Sequence, residues 1–333
     1  LEAYMSDHVE DFRGPLSVSQ FKGGQSNPTY KLDTPDKSYV MRRKPPGKLL
    51  PSAHAVDREF RVMSALYKVD FPVARPYVLC EDDEVVGTMF FIMEFIPGRV
   101  FWDPAMPDQS AKERQALFES MCETLVRLNS YDPVALGLED FGRPGNYISR
   151  QISRWTKQYQ ASETRTIREM DLLMEWLPEN NPSDDTSRLV HGDYGIHNIL
   201  FHPDKPEVAA VLDWELSTLG HPLGDLTYNM FIWYAPKFEG GMSTLRGLDL
   251  KSLGIPSQEE YVASYCRHAG INEVPNMAYY RAYIMFRSAC IYQGIIGRVR
   301  DGTASSPHAR ELEARIEPLA KAAWREAQQA GAH

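Results

Sequence analysis

The chain has little that would tie it to a membrane, an oxidising compartment or a nucleic acid. Its four cysteines, Cys80, Cys122, Cys266 and Cys290, lie far apart and form no C-x-x-C pair. That spacing argues against a zinc site or a disulfide framework and fits a reducing cytoplasm. Positive charge is in deficit, with 36 Lys and Arg against 45 Asp and Glu, a formal net charge of -9. An acidic surface repels a phosphate backbone, so nucleic acid is a poor partner. No run of about 18 uninterrupted apolar residues is present, so no membrane association is expected. A basic start followed by an apolar stretch is also missing at the N-terminus, so no secretory leader is expected. There is no full G-x-G-x-x-G, no internal repeat and no low-complexity tract.

What is present is ordinary globular material, 43% hydrophobic and 24% charged over 333 residues, enough for one large two-lobed domain. Because residue 1 is Leu and not Met, residues 1–5 are expected to be an appended stretch. Residues 21–32 read as two strand pieces around a Gly-Gly turn, and 38–42 as a third strand before Pro45-Pro46-Gly47. Over 53–68, Val56, Phe60, Met63 and Tyr67 recur at three- and four-residue spacing, which predicts a helix. Strands over 77–80 and 85–94 flank an acidic run at 81–84 that reads as a solvated hairpin tip. Beyond Ile96-Pro97-Gly98 the pattern turns helical, over 110–128, 151–159, 164–176, 258–269 and 276–299, with short strands at 189–190, 199–201 and 208–213. The expected architecture is α+β: an antiparallel-sheet N-lobe with one helix over 1–96, and a mainly helical C-lobe over 97–333.

One constellation carries chemistry. His191-Gly192-Asp193-Tyr194-Gly195-Ile196-His197-Asn198 is followed, after one short hairpin, by Val211-Leu212-Asp213-Trp214-Glu215. Phosphoryl transfer needs a carboxylate that orients the attacking hydroxyl and accepts its proton, and oxygen ligands that hold magnesium against the phosphates. Asp193 suits the first role, and Asn198 and Asp213 supply the neutral and anionic oxygens that a hard cation prefers.

H-G-D-x-x-x-x-N followed by h-D-W-E resembles the catalytic core of aminoglycoside phosphotransferases and choline-type kinases. The resemblance implies a two-lobed protein-kinase-like fold using ATP, or another nucleoside triphosphate, with Mg2+ and a small hydroxylated acceptor. It makes Asp193 the catalytic residue, Asn198 and Asp213 the metal ligands, and His191 a brace for the loop. His197 reads as structural or substrate-facing. The loop Lys22-Gly23-Gly24-Gln25-Ser26-Asn27 would cover the phosphates, so Gly23, Gly24, Ser26 and Asn27 are expected nucleotide contacts. The phosphate-binding cation falls on the strand Tyr39-Val40-Met41-Arg42-Arg43-Lys44, where Arg42 matches the strand alternation and Lys44 shares its face. Glu59 on the next helix would be its ion-pair partner. Backbone groups of Glu94 and Ile96 would meet the adenine edge at the hinge, and Asp225 would hold the catalytic loop. Strings at 42–54, 150–155 and 220–225 are similar to the branch whose kinase-like domain is fused in animals to an acyl-CoA dehydrogenase, and the likeness runs from about Gly14 to Gly297.

A protein kinase is disfavoured, because the eleven residues between Asp213 and Asp225 leave no room for an activation loop. A catalytically inactive nucleotide-binding module is disfavoured because all three catalytic positions are filled, and a metal-dependent hydrolase because clusters such as H-x-x-E-H are missing. The acceptor is expected over the C-lobe, near Trp233, Tyr234, Tyr280, Arg281, Tyr283, Arg287 and Tyr292. Residues 276–300 hold Arg281, Arg287, Arg298 and Arg300 and no Asp or Glu. With the kinship above, this stretch favours an anionic acceptor such as a hydroxyacyl-CoA or hydroxy acid over the cationic acceptors of aminoglycoside and choline kinases.

Overall fold

Strand alternation and one amphipathic helix build the first lobe. The computed structural model describes residues 1–21, 27–47, 54–238, 243–302 and 309–333. Helix α1 (Glu2–His8) precedes strands β1 (Ser17–Gln20), β2 (Thr29–Asp33) and β3 (Ser38–Arg43). Helix α2 (Val56–Tyr67), β4 (Pro76–Cys80), the short α3 (Asp83–Val86) and β5 (Phe90–Glu94) follow. The strands form one antiparallel sheet in the order β1-β2-β3-β5-β4, with Tyr39 opposite Glu94 and Arg43 opposite Phe90. Period-two alternation then sorts the side chains. Leu32, Tyr39, Met41, Phe90 and Ile92 make an outer cluster with Met5 and Val9, which α1 and its exit lay across that face. Val40, Arg42, Phe91 and Met93 face inward, toward α2 and the cleft.

Residues 2–5 open α1, whose Met5 is fully buried. The acidic run is exposed where the antiparallel β4 and β5 turn back on each other, as expected, but it is more than a bare turn: the Asp82 side chain accepts the Glu84 amide and caps α3, and Gly87 ends it at φ 86°. This turn of helix delays the following strand to Phe90. The lobe therefore carries two short helices besides the expected one.

The second lobe is helical around two small two-stranded sheets. Its elements are α4 (Ala111–Ser130), α5 (Tyr147–Ser162), α6 (Arg168–Glu179), β6 (Arg188–Val190), β7 (Ile199–Phe201), β8 (Val208–Val211) and β9 (Thr218–Gly220). Then come α7 (Pro222–Asn229), α8 (Phe231–Tyr234), α9 (Leu250–Leu253), α10 (Gln258–Ala269), α11 (Met277–Arg300) and α12 (Glu313–Gln329). Strand β6 pairs with β9 and β7 with β8, all antiparallel. One large core joins the inner face of α2 to the helices, and α11 is packed most heavily, against α12 and α5. Helix α12 was not anticipated from the sequence. The four cysteines are unpaired and buried. Among the described residues no helix is long and apolar enough to cross a membrane.

Candidate active site

The catalytic-loop sequence is held from beneath by groups far from it in the chain. Gly192 sits at φ 83°, and a Cβ there would lie 2.6 Å from the Leu216 carbonyl oxygen, so glycine alone meets both demands. Buried Asp225, in the first turn of α7, accepts the backbone amides of His191 at 2.6 Å and Gly192 at 2.8 Å. His191 Nδ1 accepts the Asp193 amide at 3.2 Å, so its Nε2 carries the proton and donates to the Leu212 carbonyl at 2.8 Å. From α11, Arg287 donates to the Gly192 carbonyl at 2.8 Å. The loop is thus set by a carboxylate, an imidazole and a guanidinium, none of them on its exposed side.

Asp193 is held by Asn198, whose Nδ2 donates to its carbonyl at 3.0 Å and to Oδ2 at 2.9 Å. His197 Nε2 lies 3.8 Å from the same Oδ2. Burial pushes the Asp193 carboxyl up, but hydrogen bonding from His197 and Tyr228 and the nearby imidazoles outweigh it and keep it below the usual range. A carboxylate in that state is ionised at neutral pH and able to accept a proton.

With Nδ2 spent on Asp193, Asn198 has its Oδ1 left as an acceptor. The Leu212 amide donates to the Asn198 carbonyl at 2.8 Å, which brings the next residue, Asp213, alongside. Asp213 adopts φ 62°, a left-handed conformation that Asp tolerates better than most residues. These oxygens fit magnesium, which demands hard donors and completes its shell from phosphates and water. Among the described residues no cluster of three or more His, Cys, Asp or Glu could hold a metal by itself.

Between the inner face of the sheet and the β7–β8 hairpin lies a cavity of about 410 Å3. Val40, Phe91, Met93 and Leu200 form its apolar walls, Glu94 and Ile96 its outer edge, and Arg42, Glu59 and Asp213 its polar end. That is the volume and lining of a small-molecule site. Arg42 Nε is 3.0 Å from Glu59 Oε2, and its Nη2 is 2.7 Å from Asp213 Oδ1 and 3.8 Å from Glu215 Oε2. Lys44 instead stands 3.7 Å from Asp57, past the end of β3 where alternation no longer governs direction. Of the two candidates, Arg42 lines the cavity and Lys44 does not. Burial pushes the Glu59 carboxyl up to about 7 against the pull of Arg42. Arg42 stays charged, its desolvation offset by Glu59, Asp213 and Glu215.

Other expected residues are placed differently. Asn27 is buried and does not line the cavity; its Nδ2 donates to Glu59 Oε1 at 2.8 Å and its Oδ1 meets His54 Nδ1 at 3.0 Å, so it braces Glu59. The Glu94 amide is committed to the Arg75 carbonyl at 2.8 Å, which leaves the hinge role of that residue to its carbonyl. Gly23, Gly24 and Ser26 lie outside the described residues, as does 48–53 of the string at 42–54.

Three of the four arginines of the expected cationic acceptor wall are committed within the protein. Arg281 Nε is 2.9 Å from Glu326 Oε2, and its Nη1 donates to Gln258. Arg287 is buried under Gly192, and Arg300 pairs with Asp301. Trp233, Tyr234, Tyr280 and Tyr283 are core residues. Arg281→Ala is therefore expected to lower unfolding free energy by roughly 2 kcal/mol, since it leaves a half-buried Glu326 without its cation. A urea titration with an unchanged midpoint would contradict this pairing. Two residues near the site went unnoticed in the sequence: Glu215, which bridges toward Arg42 and His54 at 3.8 Å each, and Trp102. Glu215 was visible within the D-W-E string, whereas nothing local marks Trp102.

Comparison with known proteins agrees with this geometry. The family model described as the phosphotransferase enzyme family, APH, matches residues 17–283. The acyl-CoA dehydrogenase family member 10 of Mus musculus is 44% identical over 93% of this chain and 29% of its own length. Family member 11 of Rattus norvegicus is 44% identical over 96% of this chain and 42% of its own length. The chain thus spans less than half of the curated relatives it matches. A crystal structure from Ralstonia eutropha JMP134, described as an aminoglycoside phosphotransferase, shares 48% identity and a TM-score of 0.90 over 98% of this chain and 97% of the other. Spectinomycin phosphotransferase, solved with ADP and spectinomycin, shares the fold at a TM-score of 0.63 and 12% identity, over 98% of this chain and 97% of its own. A catalytic loop held from below, a nucleotide-sized cleft and a family match over most of the sequence converge: the chain belongs to the APH phosphotransferase family.

Proposed function

We propose that this chain is a small-molecule kinase that transfers the γ-phosphoryl group of ATP, with Mg2+, to a hydroxyl of a hydroxyacyl-CoA or hydroxy acid. The observation that carries the reading is the Asp193 carboxylate held by Asn198 at 2.9 Å, together with a cavity whose polar end is Arg42, Glu59 and Asp213. Residues 1–96 would cover the nucleotide, and 97–333 would carry the catalytic loop and the acceptor. The base edge would meet the Glu94 carbonyl and the Ile96 amide, and Arg42 would exchange Asp213 for phosphate oxygens. Magnesium held through Asn198 and Asp213 would neutralise charge across the phosphates. The acceptor hydroxyl gives its proton to Asp193 as its oxygen bonds to the γ-phosphorus, and the bond to the β–γ bridging oxygen breaks to release ADP.

Support for a CoA thioester comes from the relatives, which are named acyl-CoA dehydrogenases and include a segment similar to nearly all of this chain. Arg281, Arg287 and Arg300, each committed within the protein, no longer argue for it. The test is a transfer assay with ATP and Mg2+ against hydroxyacyl-CoAs, hydroxy acids, kanamycin and choline. Phosphorylated hydroxyacyl-CoA or hydroxy acid is the expected product. Efficient transfer to kanamycin or choline alone would overturn the acceptor class, and no magnesium-dependent ATP binding would overturn the kinase reading itself.

A further inference from the structure

Trp102 is 75% exposed, more than any other large apolar side chain among the described residues. Leaving so much aromatic surface in water is unfavourable, so its placement matters. The ring stacks on His197 at 6.2 Å between centroids and 19° between planes, and His197 lies 3.8 Å from the Asp193 carboxylate. The orientation of His197 is built into the loop: a Cβ on Gly195 would stand 2.5 Å from His197 Cε1, so glycine at that position lets the imidazole lie where Trp102 meets it.

The segment bearing Trp102 is also fixed. Arg99 bridges to Phe201 in the β7–β8 hairpin and donates to Gln109, Glu113 and the His202 carbonyl, while Phe101 packs on Phe201 at 5.5 Å. Beyond it, Met106 is buried at φ 45°, with its carbonyl accepting from Arg114 at 3.0 Å. A non-glycine residue in that conformation persists only where its surroundings hold it. An exposed aromatic ring on a rigid support, reaching the catalytic loop through one histidine, is a preformed contact surface rather than a stray side chain.

Next to Trp102, Asp103 and Ala105 form one side of a cavity of about 320 Å3, and Lys237, Phe238 and Thr244 line the rest. The Thr244 hydroxyl is buried without a hydrogen-bond partner. Lys237 has no carboxylate partner among the described residues, unlike Arg281 and Arg300. Asp193, the Trp102 ring and a cavity that Lys237 shares with Asp103 thus bring a proton acceptor, an apolar platform and a cation into one region. An acceptor with a hydroxyl, an acyl segment and an anionic end matches that set.

We infer that Trp102 contacts the acceptor: its indole face carries the acyl segment of a hydroxylated CoA thioester whose anionic end lies toward Lys237. This rests on the kinase reading for the direction of approach, and it is tested by binding without turnover. The full chain, loaded with a non-hydrolysable ATP analogue and Mg2+, is titrated calorimetrically with 3-hydroxyoctanoyl-CoA. Trp102→Ala is expected to weaken binding about tenfold, as for loss of an aromatic stacking surface. Trp102→Phe should stay within about threefold of the parent, and nucleotide affinity should move less than twofold in both. Lys237→Gln should weaken the same probe about threefold or more, with a shallower salt dependence. Parent-like affinity in Trp102→Ala, an equal loss of nucleotide binding, or a parent protein that does not bind the thioester would each overturn the inference. Trp102-dependent binding with no phosphate transfer would leave it standing and overturn the kinase reading alone.

Discussion

Asp193→Asn is expected to lower kcat by two or more orders of magnitude while the ATP dissociation constant stays within severalfold of the parent. The substitution is nearly isosteric. Its amide oxygen can still accept from Asn198 Nδ2, which now binds Oδ2 at 2.9 Å, so the loop keeps its shape. What disappears is the negative charge and the capacity to take a proton, and general-base catalysis of this kind is worth about a hundredfold or more. Steady-state kinetics beside a nucleotide titration separate the two effects. Turnover within about fivefold of the parent would remove Asp193 from its proposed role.

Asp213→Asn should act on the cation instead. Asn accepts the left-handed backbone seen at φ 62°, so folding is spared a penalty that Ala would incur there. The only anionic oxygen proposed for the metal is lost, and magnesium-dependent ATP affinity is expected to fall about tenfold or more, with activity near background. Without magnesium the sign should reverse or vanish. Arg42 now spends its Nη2 on Asp213 at 2.7 Å, and release from that carboxylate frees it for phosphate oxygens. Titrations with and without Mg2+ decide the matter, because equal magnesium dependence in parent and variant would exclude the assignment.

The site was legible where its chemistry is local. Asp193, Asn198 and Asp213 fall within one loop and one hairpin, and Arg42 follows from the period-two pattern of a strand whose apolar residues are unmistakable. The acceptor side was not legible, for a tertiary reason. Arg281 looked unbalanced because its own helix has no acid, and the carboxylate that neutralises it, Glu326, sits 45 positions later on α12, a helix the pattern had not revealed. Asn27 was misjudged in the same way, since a residue following a glycine-rich turn suggests ligand contact, while its buried amide is committed to Glu59 and His54. In α3 two local rules hold together: the acidic cluster is the exposed turn between β4 and β5 that its charge suggests, and it also supplies an N-cap that winds that turn into a short helix.

The clamp beneath the catalytic loop bears on where reorganisation energy is spent. Asp225 offers both carboxylate oxygens to two successive backbone amides, and its burial means that water does not compete for them. Those peptide dipoles, together with the His191 imidazole, are already oriented before any substrate arrives. The backbone beneath Asp193 is therefore in place beforehand, and in the proposed reaction the loop would not have to rearrange to present that carboxylate, which is what preorganisation contributes to a lower barrier. What would still have to move in the proposed reaction is Arg42, which now holds Asp213 at 2.7 Å and would have to part from it to meet a phosphate, so the work of ligand entry would be concentrated in a single exchange of counter-ions at the cleft.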